Sequence, residues 1–412
     1  MSFLKDIIPP PGIVRLLAVS NLAKTCAHGV LMSISVLYFT RVVAIPAERV
    51  GLALTLGAAI GVLSSVPAGR LADVRGPRPV TVTLMVALGV AACGYALVDG
   101  FFGLVAATAV VLGIESAAHA ARGSLLAGLL PSAERARALA FMRATANVGV
   151  SLGAVAGGLG LLMDTKAGYI GLILAAGALF VVSGLAFLRV PSVPAAPKAA
   201  AGPKLPVLRD RAFAAVSLVN AVLVMSDALL VVAMPIWISE HTSAPPAFFT
   251  VMLLVNTAAV ILLQVRVSKG ADDVPGGTKA WWRSGIVLAG CCVLFAVSEG
   301  QAVWLACAAL LAGTLVHVLG EMLHSAGAWS LSYGLAPEHA HGQYQGLFEM
   351  STKLGTTVAP LAITLVLVGL GGWGWVVCAA VFLAAGQAAL PVVRWAERTR
   401  AEPVLETSNS ES

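Results

Sequence analysis

Three features predict an all-α polytopic membrane protein with twelve transmembrane helices in two six-helix pseudo-repeats. They are twelve apolar segments of membrane length, a one-sided distribution of basic residues, and an internal offset between the two halves of the chain. The composition leaves little alternative. The chain of 412 residues is 58% hydrophobic and only 11% charged, whereas soluble domains carry about a quarter charged residues. With a mean hydropathy of +0.91, no aqueous fold of this length could hide so much apolar surface. The apolar runs are continuous and do not alternate, which argues against a β-barrel. Abundant glycine, 42 residues, suits helices packed closely in lipid.

A helix needs about 20 apolar residues to cross the hydrocarbon. Segments of that length lie at 14–40, 48–67, 79–98, 101–129, 138–162, 167–188, 212–238, 247–267, 282–298, 302–331, 343–369 and 372–393. Most junctions carry Pro, Gly or charge, among them Pro46, Pro67, Gly100, Pro131, Pro245-Pro246, Gly300, Pro337 and Gly371-Gly372. The amino-terminal residues have neither a basic n-region nor a small-residue cleavage site, so the first helix is expected to direct insertion itself. The six cysteines, Cys26, Cys93, Cys291, Cys292, Cys307 and Cys378, all fall in apolar segments and read as small core residues.

The basic residues set the orientation. With the amino terminus in the cytosol, the inner side collects nineteen lysines and arginines: Lys5, Arg15, Arg70, Arg75, Arg78, Arg135, Arg137, Arg189, Lys198, Lys204, Arg209, Arg211, Arg266, Lys269, Lys279, Arg283, Arg394, Arg398 and Arg400. The outer side keeps three, Arg41, Arg49 and Lys166. Four more, Lys24, Arg122, Arg143 and Lys353, lie in or near the spans. This positive-inside bias places both termini in the cytosol. It also gives the net charge of +6 a membrane explanation in place of a nucleic-acid one. The Ala/Gly/Val/Arg-rich composition reads as bacterial, so the expected location is the cell inner (cytoplasmic) membrane. Residues 190–211, rich in Pro, Ala and Lys, read as a flexible cytoplasmic linker. The expected organisation is a six-helix bundle over 1–189, the linker over 190–211, a second bundle over 212–394 and a cytoplasmic tail over 395–412.

The halves repeat. Pro131 and Pro337 each end a long span on the inner side, with a separation of 337 − 131 = 206. The same offset pairs Glu115 with Glu321, Gly149 with Gly355, Arg143 with Glu349, and Asn147 with Lys353. Parallel six-helix halves related by an axis along the membrane normal would produce such a pattern.

Between the second and third segments, residues 69–78 read Gly-Arg-Leu-Ala-Asp-Val-Arg-Gly-Pro-Arg, and this stretch is expected to be a cytoplasmic loop. The spacing G-x-L-A-D-x-x-G-x-R closely resembles the signature of the major facilitator superfamily. Val74 stands where that family usually has a basic residue, and Pro77-Arg78 stands where it favours two adjacent basics. The core, Gly69, Asp73, Gly76 and Arg78, is intact. The resemblance implies the major facilitator fold, with Asp73 and the arginines forming an inner-side latch on the amino end of helix 11. On helix 5, Gly149, Gly153, Gly157 and Gly158 match the glycines of a motif common in antiporters of the superfamily, with Ala154 replacing its proline. Generic small-residue packing is the other reading of these glycines.

Ionisable residues inside a membrane are costly and usually functional. Here they concentrate on helix 1 (Asn21, Lys24, His28), helix 4 (Glu115, His119), helix 7 (Asn220, Asp227) and helix 10 (His317, Glu321, His324). Their spacings of three, four and seven residues set each group on one helical face. The resemblance implies that helices 1, 4, 7 and 10 line a central cavity. Lys24 is expected to neutralise Glu115 or Asp227. His28 is either a cavity group or a packing histidine. Arg143, Glu349 and Lys353, nearer the inner surface, read as gate salt bridges or interfacial anchors. A zinc site at His317, Glu321 and His324 would need a third or fourth ligand and a hydrated path, so no metal is assigned. No cofactor is expected.

These observations lead to a proton-coupled secondary transporter of small amphiphilic organic compounds. Glu115, Glu321 and Asp227 are the proton-coupling candidates. Asn21, Lys24, His28, His119, Asn220, His317 and His324 line the substrate cavity. Resemblance to drug:proton antiporters favours export. Uptake of a sugar, organic acid or peptide by symport is the alternative, and a non-transporting receptor or scaffold is the alternative of another class. The expected partners are a small-molecule substrate, protons and the lipid bilayer, around a monomer. An enzyme is not expected, because no extramembrane segment is large enough to hold a site.

Overall fold

A computed structural model describes residues 8–162, 164–195 and 205–408. Lys5, Lys198 and Lys204 of the basic count, and 196–204 of the expected linker, lie outside the described residues. Within them the chain is all-helical, with twelve helices long and apolar enough to cross a membrane. In order they are α1 (Ile13–Val42), α2 (Ala47–Arg75), α3 (Pro77–Leu97), α4 (Phe101–Leu129), α5 (Glu134–Gly160), α6 (Lys166–Arg189), α7 (Arg211–His241), α8 (Phe248–Val267), α9 (Val274–Val297), α10 (Val303–Gly334), α11 (Glu338–Leu370) and α12 (Gly372–Arg400). Helices satisfy every backbone polar group within the segment, which the hydrocarbon demands.

Each expected segment holds one helix, but three boundaries differ. Helix α9 starts eight residues before the expected position of 282, because Asp273 caps it by accepting from the Gly276 amide at 2.7 Å and Pro275 fits its first turn. The last helix runs on to Ser408, well past the expected tail boundary. The third difference is the stretch 69–78, which is not a ten-residue loop. Helix continues over Ser65–Arg75, and the next helix begins at Pro77. Only Gly76 separates them, at φ 93°, a left-handed conformation that glycine adopts without strain. Proline at the first helical position sets the chain on its return.

The chain clusters into two units, Met1–Leu205 with Ala336–Met350, and Pro206–Leu335 with Ser351–Ser412. The amino-terminal turns of α11 thus pack with the first unit. Inside the first unit α1 packs on α5 and α6, α3 on α4 and α6, and α2 on α4. Inside the second, α7 packs on α12, α9 on α10 and α12, and α8 on α10. Four of the five pairings recur shifted by six helices, and the fifth, α5 on α1, has its counterpart where a Cβ on Gly355 of α11 would meet the Ala221 carbonyl of α7.

Glycines mark the closest crossings. A Cβ on Gly89 would lie 2.5 Å from the Gly177 carbonyl oxygen, joining α3 to α6. In the second unit the corresponding pair is Gly285 and Gly386, where a Cβ on Gly285 would lie 2.7 Å from the Gly386 Cα. On α5, Gly149, Gly153 and Gly157 all face α1, against Leu22, Cys26, Val30 and Ser33. Gly158 meets nothing within 4 Å. Three of the four helix-5 glycines therefore have a packing role, and the contact is backbone on backbone.

This geometry predicts the outcome of two valine substitutions. Gly153→Val would drive its Cβ to 2.8 Å from the Val30 amide and onto the Cys26 carbonyl, atoms that cannot move aside. Overpacking of this kind costs roughly 1–3 kcal/mol, so thermal unfolding in detergent should begin several degrees lower. Gly158→Val should leave the transition where it is.

Candidate functional site

In the first unit, one carboxylate gathers two bases. Glu115 Oε1 on α4 lies 3.6 Å from Lys24 Nζ and 3.8 Å from His28 Nδ1, both on α1. The Glu115 and Lys24 side chains are 12% and 14% exposed, so the pair is screened from bulk water yet not sealed. Of the two carboxylates considered for Lys24, Glu115 lies at ion-pair distance. One turn along α4, His119 Nδ1 lies 3.1 Å from Glu349 Oε2, on the part of α11 that belongs to this unit. Asn21 completes the polar face of α1. Its amide nitrogen donates to the Met142 carbonyl at 2.7 Å, and its oxygen accepts from Arg122 Nη1 at 2.8 Å.

Arg122 was not among the expected site residues, although its spacing reveals it. It follows Glu115 by seven residues and His119 by three, on the same stripe of α4. The arrangement is a partly desolvated run of ionisable groups, Lys24–Glu115 and His119–Glu349, with Arg122 bound to Asn21.

The end of the first unit where α2 turns into α3 carries the Asp73 contact. Asp73 is 5% exposed. Its carboxylate accepts from the backbone amides of Gly342 at 2.7 Å and Gln343 at 3.2 Å, and from Ser124 Oγ at 3.0 Å. The two amides lie in the first turn of the long helix that carries α11, His341–Leu370. Their hydrogens have no partner inside the helix, and the helix dipole favours a negative group there. Gly69 and Gly342 permit the approach, since a Cβ on Gly342 would lie 2.7 Å from Asp73 Oδ1. Arg78 does not join Asp73. Its guanidinium donates to the Phe187 carbonyl at 3.3 Å and to the Leu188 carbonyl, capping the end of α6. Arg135 caps the end of α4 in the same way, donating to the carbonyls of Ala127 and Leu130 at 3.0 and 2.9 Å. Cations at helix carboxyl ends are favoured by the dipole, which gives these two residues of the basic count a local role.

In the second unit Asn220 is the hub. Its nitrogen donates to Ser351 Oγ at 3.2 Å and Thr352 Oγ1 at 2.8 Å on α11, and its oxygen meets His324 Nε2 at 3.0 Å. His317 Nε2 meets the Ser226 carbonyl at 2.9 Å. His317 Nδ1 and Ser226 Oγ are buried without a hydrogen-bond partner among the described residues. Ser226 and Asp227 sit where α7 departs from regular geometry, between a 3-10 turn at Val224–Ser226 and a π turn at Leu229–Ala233. Broken helix at membrane depth is tolerated where it lines a cavity or is buried in protein, and π turns recur at functional sites. Glu321 and Lys353 are half-buried on α10 and α11. The serines and Thr352 carried no signal in the sequence, because small hydroxyl residues are common in membrane helices.

A profile of the Major Facilitator Superfamily matches residues 17–360. No curated protein matches the sequence significantly. Solved structures do resemble it. One is a bacterial homologue of the iron transporter ferroportin, in an outward-facing state, at TM-score 0.70 and 17% identity over 94% of this chain and 100% of that one. Another is the human organic anion transporter MFSD10 (TETRAN), at TM-score 0.69 and 15% identity over 92% and 100%. A third is the E. coli fucose:proton symporter FucP, at TM-score 0.66 and 13% identity over 93% and 98%. At these identities the likeness speaks for the fold alone; the family match over residues 17–360 is what points to a transporter rather than an enzyme. The chain belongs to the Major Facilitator Superfamily and is a multi-pass membrane protein with the fold of a secondary transporter.

Proposed function

We propose that this protein is a proton-coupled exporter of small amphiphilic organic compounds, working by alternating access as a monomer in the cell inner membrane, with both termini cytosolic. The observation that carries the reading is the Lys24–Glu115–His28 cluster. A carboxylate flanked by two bases, shielded from bulk water but still reachable, is a group whose protonation changes the local charge balance. A charge pair near 4 Å interacts by on the order of 4 kcal/mol at an effective dielectric of 20, before desolvation offsets part of it. Protonation of Glu115 removes that attraction and frees Lys24. An energy of this size approaches the roughly 5.5 kcal/mol that carries a two-state equilibrium from one side to the other. Glu321 and Asp227 are the second and third coupling groups. His324 and His317 are the second repeat's candidates for contact with the substrate. Resemblance to the drug:proton antiporter group, through the glycines of α5, supports the outward direction. The fucose:proton symporter shares the fold, and a symporter would use the same coupling chemistry, so the sign of the proton-driven flux separates export from uptake.

The test uses purified protein in liposomes. Glu115→Gln should reduce transport driven by a pH gradient by about tenfold or more while leaving substrate exchange without a gradient within about threefold. Glu321→Gln should show a weaker form of the same split, and the double variant should lose all response to the gradient. Unimpaired gradient-driven transport in the double variant would sink the proposal. Absence of any flux in wild-type vesicles, across a panel of amphiphilic dyes, would favour the receptor reading.

Asp73 is proposed as a latch between α2 and α11. Asp73→Asn places an amide donor opposite two backbone donors and removes charge-assisted bonds worth roughly 1.5–3 kcal/mol each. The expected result is a shift between inward- and outward-accessible populations, read by labelling of introduced cysteines, with substrate affinity changed less than about twofold. Unaltered accessibility would remove Asp73 from the gate.

A further inference from the structure

We infer that the inner end of the α9–α12 pair is a binding site for an anionic glycerophospholipid, its phosphate held by Lys279 and Arg394. Helices α9 and α12 touch most closely at Gly285 and Gly386, where neither residue has a side chain to hold them apart. Towards the start of α9 and the end of α12 a cavity of about 450 Å³ opens between them. Its lining combines Lys279, Arg394 and Glu397 with Trp282, Leu390 and Val393.

The depth suits a headgroup. Lys279 lies five residues into α9, and Arg394 lies 22 residues beyond Gly372, or about 33 Å along α12. That length matches the hydrocarbon thickness of about 30 Å and puts both cations at the same membrane boundary. Trp282 is 40% exposed beside them, with its indole N–H on Gln387 Oε1 at 3.0 Å. An amphipathic ring in this position is characteristic of the membrane interface.

The charge selects the ligand. The cavity sets two cations, Lys279 and Arg394, against the single carboxylate of Glu397, and Arg283 and Arg398 are exposed one helical turn further along α9 and α12. No carboxylate among the described residues lies within ion-pair distance of Lys279 or Arg394. A phosphodiester fits between the two cations, and headgroup hydroxyls can donate to Glu397. The acyl chains would run along the apolar flank of Ile286 and Leu383, both exposed on the hydrocarbon side of the cavity. Basic pockets between transmembrane helices on the inner side favour such headgroups.

Native mass spectrometry of the full chain tests the site, with phosphatidylglycerol, phosphatidylethanolamine and phosphatidylcholine offered in turn. Wild-type protein should retain phosphatidylglycerol preferentially. The double variant Lys279→Gln/Arg394→Gln should bind it on the order of 10- to 30-fold more weakly, the loss expected for two basic groups at a headgroup. Arg15→Gln, a basic residue at the inner boundary of the first unit, should leave binding unchanged. Lys279→Arg in an otherwise native chain should retain binding, which keeps the test decisive if the double variant folds poorly. Equal retention of the three lipids, or unchanged phosphatidylglycerol binding in the double variant, would overturn the inference. Displacement of the lipid by millimolar inorganic phosphate would also overturn it, by reducing the site to a general anion contact.

Discussion

The bilayer interior offers no hydrogen-bonding solvent, and the rest of this structure follows from that absence. Backbone groups must be satisfied within each segment, so the chain is helical wherever it crosses. Apolar side chains gain nothing by leaving lipid for another helix, so association depends on close van der Waals fit. Gly153 against Cys26 and Val30, Gly89 against Gly177, and Gly285 against Gly386 provide that fit by bringing backbones together. Where Gly285 and Gly386 hold α9 to α12 at one point, the helices separate beyond it, and the space left is lined by cations at headgroup depth.

The same absence of water makes each polar group inside the membrane conspicuous. Glu115 is flanked by Lys24 and His28, Asn21 joins Arg122 to the Met142 carbonyl, and Asn220 joins His324 to Ser351 and Thr352. The two repeats solve the problem differently. In the first, Glu115 gathers Lys24 and His28; in the second, Asn220 gathers an imidazole and two hydroxyls.

The turn between α2 and α3 shows how a short motif can carry several independent contacts. Gly69 removes a side chain so that α11 can approach, Asp73 accepts from two amide groups at that helix start, Gly76 reverses the chain, and Arg78 caps α6. The spacing of the motif is thus the spacing of four contacts along one helix and its turn. Reading the stretch as a loop misplaced it, because charge was taken as a sign of irregular backbone when it marks only the part of the helix that leaves the hydrocarbon.

The sequence by itself determined the number of spans, the helical class, the repeat and the stripes of polar residues, because hydrophobic length and helical period are local properties. It also singled out Glu115 and His119, since an ionisable group in an apolar run stands out without any partner being known, and Asp73, through the motif that residues 69–78 resemble. Tertiary structure alone decided the partners. Nothing in the order of residues states that Glu115 meets Lys24 at ion-pair distance, that Glu349 returns to His119, or that Gly158 alone of the four helix-5 glycines faces open space. Contacts between helices depend on rotation and crossing angle, which are set by the whole packed bundle. Small hydroxyl residues such as Ser124, Ser351 and Thr352 take on a role only when a partner is brought within 3.2 Å, and so they stay silent until the helices are packed.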